Sequence, residues 1–165
     1  MTEAEVQSAL NAWLASVTGV ATVINAHPDA PRPAKPYCMT NLTISGAVYL
    51  DPIEDEFTVE GEGEEDETIT QAPVRDWYWR FSVFAYGDAP MSTLRKIDTA
   101  WKVPTAHGEL YPLTIFEASA VRNVPELVEN AWEKRANMDI EVRGIVRDGL
   151  VVDVIEEVPV TVQRA

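Results

Sequence analysis

Residues 74–87 constrain this chain more than any other stretch, because they read as one strand with apolar groups on both sides. Side chains alternate along an extended strand, so Trp77, Trp79, Phe81, Val83 and Ala85 share one face and Tyr78, Arg80, Ser82, Phe84 and Tyr86 the other. The first face has to be core. The second is too aromatic to be an ordinary solvated surface, which predicts that a helix or another subunit covers part of it.

The elements around this strand follow from spacing and punctuation. Thr2 with Glu5 forms a capping box, and Val6, Leu10, Trp13, Leu14 and Val17 recur at helical spacing until Gly19 ends the helix. Residues 20–26 read as a short strand. Four prolines within residues 27–36 fix backbone angles and remove hydrogen-bond donors, which predicts a semi-rigid loop. Residues 37–50 follow as a long strand alternating at Tyr37, Met39, Leu42, Ile44, Val48 and Leu50, with a bulge or bend at Gly46. A second helix, capped by Asp88 or Ser92, carries Leu94, Ile97 and Trp101 and stops at Pro104.

Further along, residues 113–124 read as a strand and 125–131 as a turn or helical segment. Residues 138–146 alternate as a strand, and Asp148-Gly149 turns the chain before strands at 150–155 and 158–162. A chain of 165 residues fits one domain spanning 1–165. The order of elements predicts an α+β fold: a mixed, largely antiparallel sheet with two amphipathic helices packed on one face.

Charge is distributed unevenly. Lys and Arg total 13 against 27 Asp and Glu, a net charge of −14, the wrong sign for gripping phosphate backbones. Nine of the carboxylates (Glu54, Asp55, Glu56, Glu60, Glu62, Glu64, Glu65, Asp66 and Glu67) fall within fourteen positions broken by Gly61 and Gly63. Their mutual repulsion predicts a mobile loop or extended hairpin tip ending before Thr68, and a separate expectation, tied to the resemblance below, places it at a lumen or against a neighbouring subunit. Arg75, Arg80, Arg95, Lys96, Arg122, Lys134, Arg135, Arg143 and Arg147 make the second half more basic and able to receive such a loop.

Catalytic patterns are missing from the sequence. It has no nucleophile elbow, no phosphate-cradling glycine loop and no zinc-protease motif. His27 and His107 read as solvent-facing turn residues, and the single cysteine, Cys38, as a small buried apolar group. The acidic run lacks the register of a calcium loop. No cofactor, no metal and no enzymatic activity are expected. One cysteine suggests a reducing compartment. No signal-like start and no apolar run of ~20 residues point to a soluble, cytoplasmically made protein without a membrane partner.

Taken in order, several of these features resemble the tail terminator, or neck terminator, proteins of tailed bacteriophages. They are the N-terminal helix with Trp13-Leu14, the segment Ala30-Pro31-Arg32-Pro33-Ala34-Lys35-Pro36-Tyr37, and the strand ending Phe84-Ala85-Tyr86-Gly87 with the Leu94/Ile97/Trp101 helix behind it. Trp132-Glu133-Lys134-Arg135-Ala136 leading into Met138-Asp139-Ile140 completes the likeness. The acidic stretch departs from that pattern. The resemblance implies a structural virion protein of the tail or neck, assembled in the host cytoplasm as a homohexameric ring. Such a ring caps the head-proximal end of the tail tube, ends tube polymerisation and joins the head connector, with DNA only passing through. Its partners would be itself, the tail tube protein and the head-tail connector protein.

On that reading Tyr78, Arg80, Phe84, Tyr86, Arg122, Trp132 and Arg135 are candidate interface residues. Two other readings stay open: a head-completion or neck adaptor protein, and an acidic DNA-mimic inhibitor. A mimic should space its carboxylates along ordered elements, whereas these cluster in a glycine-broken run. For a small hydrolase no residue set can be named.

Overall fold

The computed structural model describes residues 1–26, 31–61 and 68–152. Helix α1 spans Glu3–Thr18, and its first turn is closed as the sequence predicts. The Glu5 amide donates to Thr2 Oγ1 at 3.3 Å and the Thr2 amide to Glu5 Oε2 at 2.7 Å. Gly19 ends the helix at φ 71°, where a side chain would be strained, and donates its N–H to Ala15 at 3.0 Å. Val6, Leu10, Trp13 and Leu14 are buried. Thr18 joins them because its hydroxyl is satisfied locally, donating to the Leu14 carbonyl at 2.6 Å.

Strand β1 (Val23–Asn25) is shorter than expected and runs parallel to β2 (Tyr37–Ala47). The irregularity in β2 lies between Leu42 and Ile44, not at Gly46. That bulge resets the alternation: Cys38 and Leu42 face the core, while Tyr37, Met39 and Ile44 face the other way. Val48 and Leu50 lie beyond the strand. Gly46 is paired regularly with Tyr78, and its role is clearance, since a Cβ there would lie 3.3 Å from the Tyr78 ring.

Strand β3 (Glu54–Glu60) pairs with the first third of β4 (Thr68–Tyr86), which is 19 residues long, or ~60 Å. Helix α2 spans Pro90–Ala100. Neither Asp88 nor Ser92 caps it. Ala89 occupies the cap without a side-chain bond, and Pro90 at the first position supplies the fixed φ and needs no donor. Pro104 opens the short helix α3 (Pro104–Gly108) as well as following α2.

The expected strand at 113–124 is two strands, β5 (Thr114–Ala118) and β6 (Arg122–Asn123), both on β9 (Arg135–Arg147). Of the turn or helical segment expected at 125–131, the turn is present at Glu129-Asn130, and strands rather than a helix flank it. They belong to a hairpin of β7 (Glu126–Val128) and β8 (Ala131–Glu133), whose turn residues Glu129 and Asn130 take positive φ of 47° and 65°. Two left-handed residues in a two-residue connection match the twist of the flanking strands. Strand β10 (Leu150–Val152) returns to pair with β4. The rest of the expected C-terminal strands, 153–155 and 158–162, lies outside the described residues, as does His27.

The main sheet runs β1-β2-β4-β9-β5, with every pairing antiparallel except β1 with β2. This is an α+β fold with a mixed, largely antiparallel sheet. Helix α2 packs on β4 and β9, and α1 packs on α2, β1 and β2. One buried cluster gathers Leu10, Trp13 and Leu14 of α1 and Leu94 and Ile97 of α2. Its sheet members are Trp79, Phe81 and Val83 of β4 and Met138, Ile140 and Val142 of β9. Cys38 sits in it fully buried, and desolvation pushes its thiol up to about 11, far from a reactive thiolate.

Candidate interface surfaces

The face of the sheet opposite the core carries a ladder of aromatic and charged side chains. Register aligns Tyr78 with Arg143, Arg80 with Glu141, Ser82 with Asp139, Phe84 with Asn137 and Tyr86 with Arg135. On the other side of β4, Tyr37 faces Tyr86 and their rings stack at 4.5 Å with 11° between planes. The Arg32 guanidinium lies over Tyr86 at 5.7 Å, and Arg135 over Phe84 at 5.3 Å. The chain's own arginines thus lie over part of this face, at Tyr86 and Phe84. Burial, only partly offset by Arg32, pushes the Tyr37 hydroxyl up to about 12.

Two buried carboxylates, Glu141 on this face and Glu133 beside it on β8, gather the cations around them. Glu141 accepts from Arg80 and from Arg143, each at 2.9 Å, and the Arg143 guanidinium carbon also lies 3.3 Å from the centre of the Phe116 ring. Glu133 accepts from Lys35 at 2.6 Å and Arg32 at 2.8 Å. Burial alone would raise both carboxyls. Hydrogen bonds and charge from the paired cations outweigh it, and both are held below the usual carboxylate range. Arg122 bonds Asn137 at 2.9 Å and pairs with Asp139, which also accepts from Ser82 at 2.6 Å. Arg135 pairs with Glu126 at 2.7 Å.

Beyond the body, β3, the start of β4 and β10 form an arm. Its register puts Glu54, Glu56 and Glu60 on one face, and Phe57 and Val59 on the other beside Ile69 and Leu150. Phe57 is 62% exposed. The acidic segment is therefore an extended hairpin strand over Glu54–Glu60 and not a loose loop there, because alternation gives it a register. Glu62, Glu64, Glu65, Asp66 and Glu67 lie outside the described residues. Glu56 pairs with Arg147 at 2.9 Å, whereas Glu54 and Glu60 have no cation partner among the described residues. The objection that a DNA mimic needs ordered carboxylates does not hold for β3.

At the far end of β4 lies a polar cleft of about 510 Å³ lined by Lys35, Lys96, Lys134, Asp88, Glu133 and Trp132. Trp132 is 71% exposed. A second groove, about 490 Å³ and mostly apolar, runs between α1 and residues 109–113 and includes Ala9, Ala12 and Tyr111. The structure thus brings Phe84, Tyr86 and Arg135 together near one end, with Trp132 beside the cleft. Tyr78 and Arg80 sit farther along, toward the arm, and Arg122 lies exposed at the β6 edge.

Sequence reasoning missed the lysine cleft, because its three lysines are remote in the chain and no local pattern joins them. The apolar face of the arm was missed too, although the alternation of Phe57 and Val59 is a signal that could have shown it. His107 is half-buried and structural: its Nε2 accepts the Ile115 amide at 3.0 Å, tying α3 to β5. Among the described residues, no group of three or more His, Cys, Asp or Glu is placed to hold a metal ion, and no helix is long and apolar enough to cross a membrane.

The fold is shared with a solved structure of known role. A solved structure similar to this chain is the sheath/tube terminator of the extracellular contractile injection system PVC, seen by cryo-EM in the extended state. It matches at a TM-score of 0.50 and 13% identity over 100% of this chain and 64% of that one. The chain thus spans just under two thirds of that terminator's length. No curated protein shows significant sequence similarity to it. The family described as phage neck terminator protein matches residues 4–165, nearly the whole chain. This chain belongs to the phage neck terminator family. Its members are structural terminators, which assigns the chain to the tail and neck of the virion.

Proposed function

We propose that this protein forms a homohexameric ring on the head-proximal end of a phage tail tube, stops tube polymerisation there and presents a docking surface to the head connector. The observation that carries the reading is the family match over residues 4–165. Several separate surfaces on one small domain support it: the charged-aromatic face around Tyr78, Arg80, Phe84 and Tyr86, the acidic arm, and the edge carrying Arg122, Trp132 and Arg135. A closed ring stacked between two other rings uses heterologous contacts, so each subunit must offer distinct patches to neighbours, tube and connector. A net charge of −14 per subunit suits a channel wall that DNA passes without sticking. The role is mechanical, with no catalysis and no cofactor.

The test is assembly with purified tube protein. Rings about six times the 18.3 kDa subunit, together with tubes that stop growing when the protein is added, are the expected result. A protein that stays monomeric alone and with tube subunits refutes the reading. Capture by connector protein but never by tube protein assigns it instead to a neck adaptor.

A further inference from the structure

We infer that the lysine cleft beside Trp132 receives the acidic arm of a second copy of this chain, the contact that closes the proposed ring; the inference deepens that reading and rests on it. Cleft and arm are complementary in charge and lie too far apart to meet within one molecule. The arm is built on residues 68–74 of β4, whereas the cleft opens beside Gly87, so ~40 Å of extended strand separates them. Complementary patches at opposite ends of one subunit define a head-to-tail contact, the type that closes rings.

The pairing of the chain's other cations singles out the cleft. Arg75, Arg80, Arg122, Arg135, Arg143 and Arg147 each already hold a carboxylate of their own chain, and so does Lys102. In the cleft, Lys96 Nζ donates only to the neutral carbonyl of Thr18 at 2.7 Å, and Lys134 has no partner among the described residues. Arg95, next to Lys96 on α2, is exposed and equally unpaired among them. The anions there are Asp88 and Glu133, and Glu133 is already shared by Arg32 and Lys35. Within a second copy, then, unspent positive charge is concentrated at this cleft, while Glu54 and Glu60 are unspent negative charge on the arm.

A charge-swap experiment followed by sedimentation velocity tests this. In about 50 mM salt, E54K/E60K and K134E should each raise the protein concentration needed for half-assembly about tenfold or more, as expected for close interfacial ion pairs. Mixing the two variants, or combining them in one chain, should restore assembly to within a few-fold of wild type. Raising salt to about 500 mM should shrink the wild-type advantage. All sites are exposed, and unchanged thermal melts confirm folding. The neutral variant E54Q/E60Q gives the same direction of effect if the double lysine variant does not fold. The inference is overturned if the wild type never self-associates, if single reversals leave assembly unchanged, or if the swap fails to rescue. Rings persisting in E54K/E60K refute this contact while leaving the terminator reading intact. Loss of tube-protein binding without loss of self-association assigns the arm to the tube.

Discussion

Glu141 is the residue whose replacement tests the outer face most sharply. Its side chain is 9% exposed and holds Arg80 and Arg143, whose side chains are 43% and 22% exposed. Removing one partner of a fully buried pair costs about 3–5 kcal/mol, and removing one from an exposed pair about 0–1 kcal/mol. With a hidden carboxylate between partly wet arginines, Glu141→Gln should cost about 2 kcal/mol near neutral pH, or about 4–8 °C in melting temperature for a chain of this length. The pH dependence separates charge from shape. Because Arg80 and Arg143 hold the folded carboxyl below its ordinary value of 4.5, its contribution is complete above that value and is lost as pH falls through the lower folded value. The gap between wild type and variant, measured by urea denaturation, should therefore be constant from about pH 8 to 5 and close below about 4.5. A gap that persists unchanged at pH 3, or no gap at pH 7, refutes the electrostatic account.

Two further outcomes follow from local geometry. Gly144→Val should cost about 1–3 kcal/mol, because even a Cβ at Gly144 would sit 2.8 Å from Leu113 Cδ2 and 3.4 Å from the Trp79 ring; denaturant midpoints against wild type check it. Thr2→Ala removes half of the capping box and should lower stability by about 1 kcal/mol, with amide exchange accelerated in the first turn of α1 and unchanged in β9.

The parts of the fold that could be read from sequence are those whose signal is local. The α1 cap is two residues three apart, and the core faces of β4 and β9 follow from strict alternation, so Trp79, Phe81, Met138 and Ile140 were legible. What failed depended on pairing. Nothing in residues 37–50 announces that the bulge falls between Leu42 and Ile44, since a bulge is a mismatch in count between two strands and neither strand alone contains it. The turn within 125–131 was one of two readings, but its hairpin strands were not read because glutamate is a poor marker for a left-handed residue; glycine there would have singled out a hairpin turn. The candidate interface was half legible for the same reason. Tyr78 to Tyr86 alternate visibly, but no local pattern shows that Arg32 lies over Tyr86 and Arg135 over Phe84, which the folded register brings about.

The same register makes this molecule two-ended. A strand of 19 residues is far longer than its neighbours need for a shared core, and the excess projects as the arm. The sequence loads that projection with carboxylates and leaves its companion strands Phe57 and Leu150 open to water. An exposed, partly apolar edge is an aggregation hazard, and charge is the usual device that keeps such an edge soluble until a specific partner covers it. For a protein with the proposed role of stopping a polymer without itself polymerising, this arrangement is suitable. Dense negative charge repels indiscriminate edge pairing, and on the proposed contact a cationic seat at the opposite end of a second copy would remove that repulsion only in the head-to-tail orientation. Shortening the arm by deleting residues 56–70 tests this division of labour. The β2 and β9 portions of the sheet should stay folded, because their partners lie at residues 74–86, while self-association measured by sedimentation is lost; a shortened chain that still forms rings would show that the arm serves only as a solubilising edge.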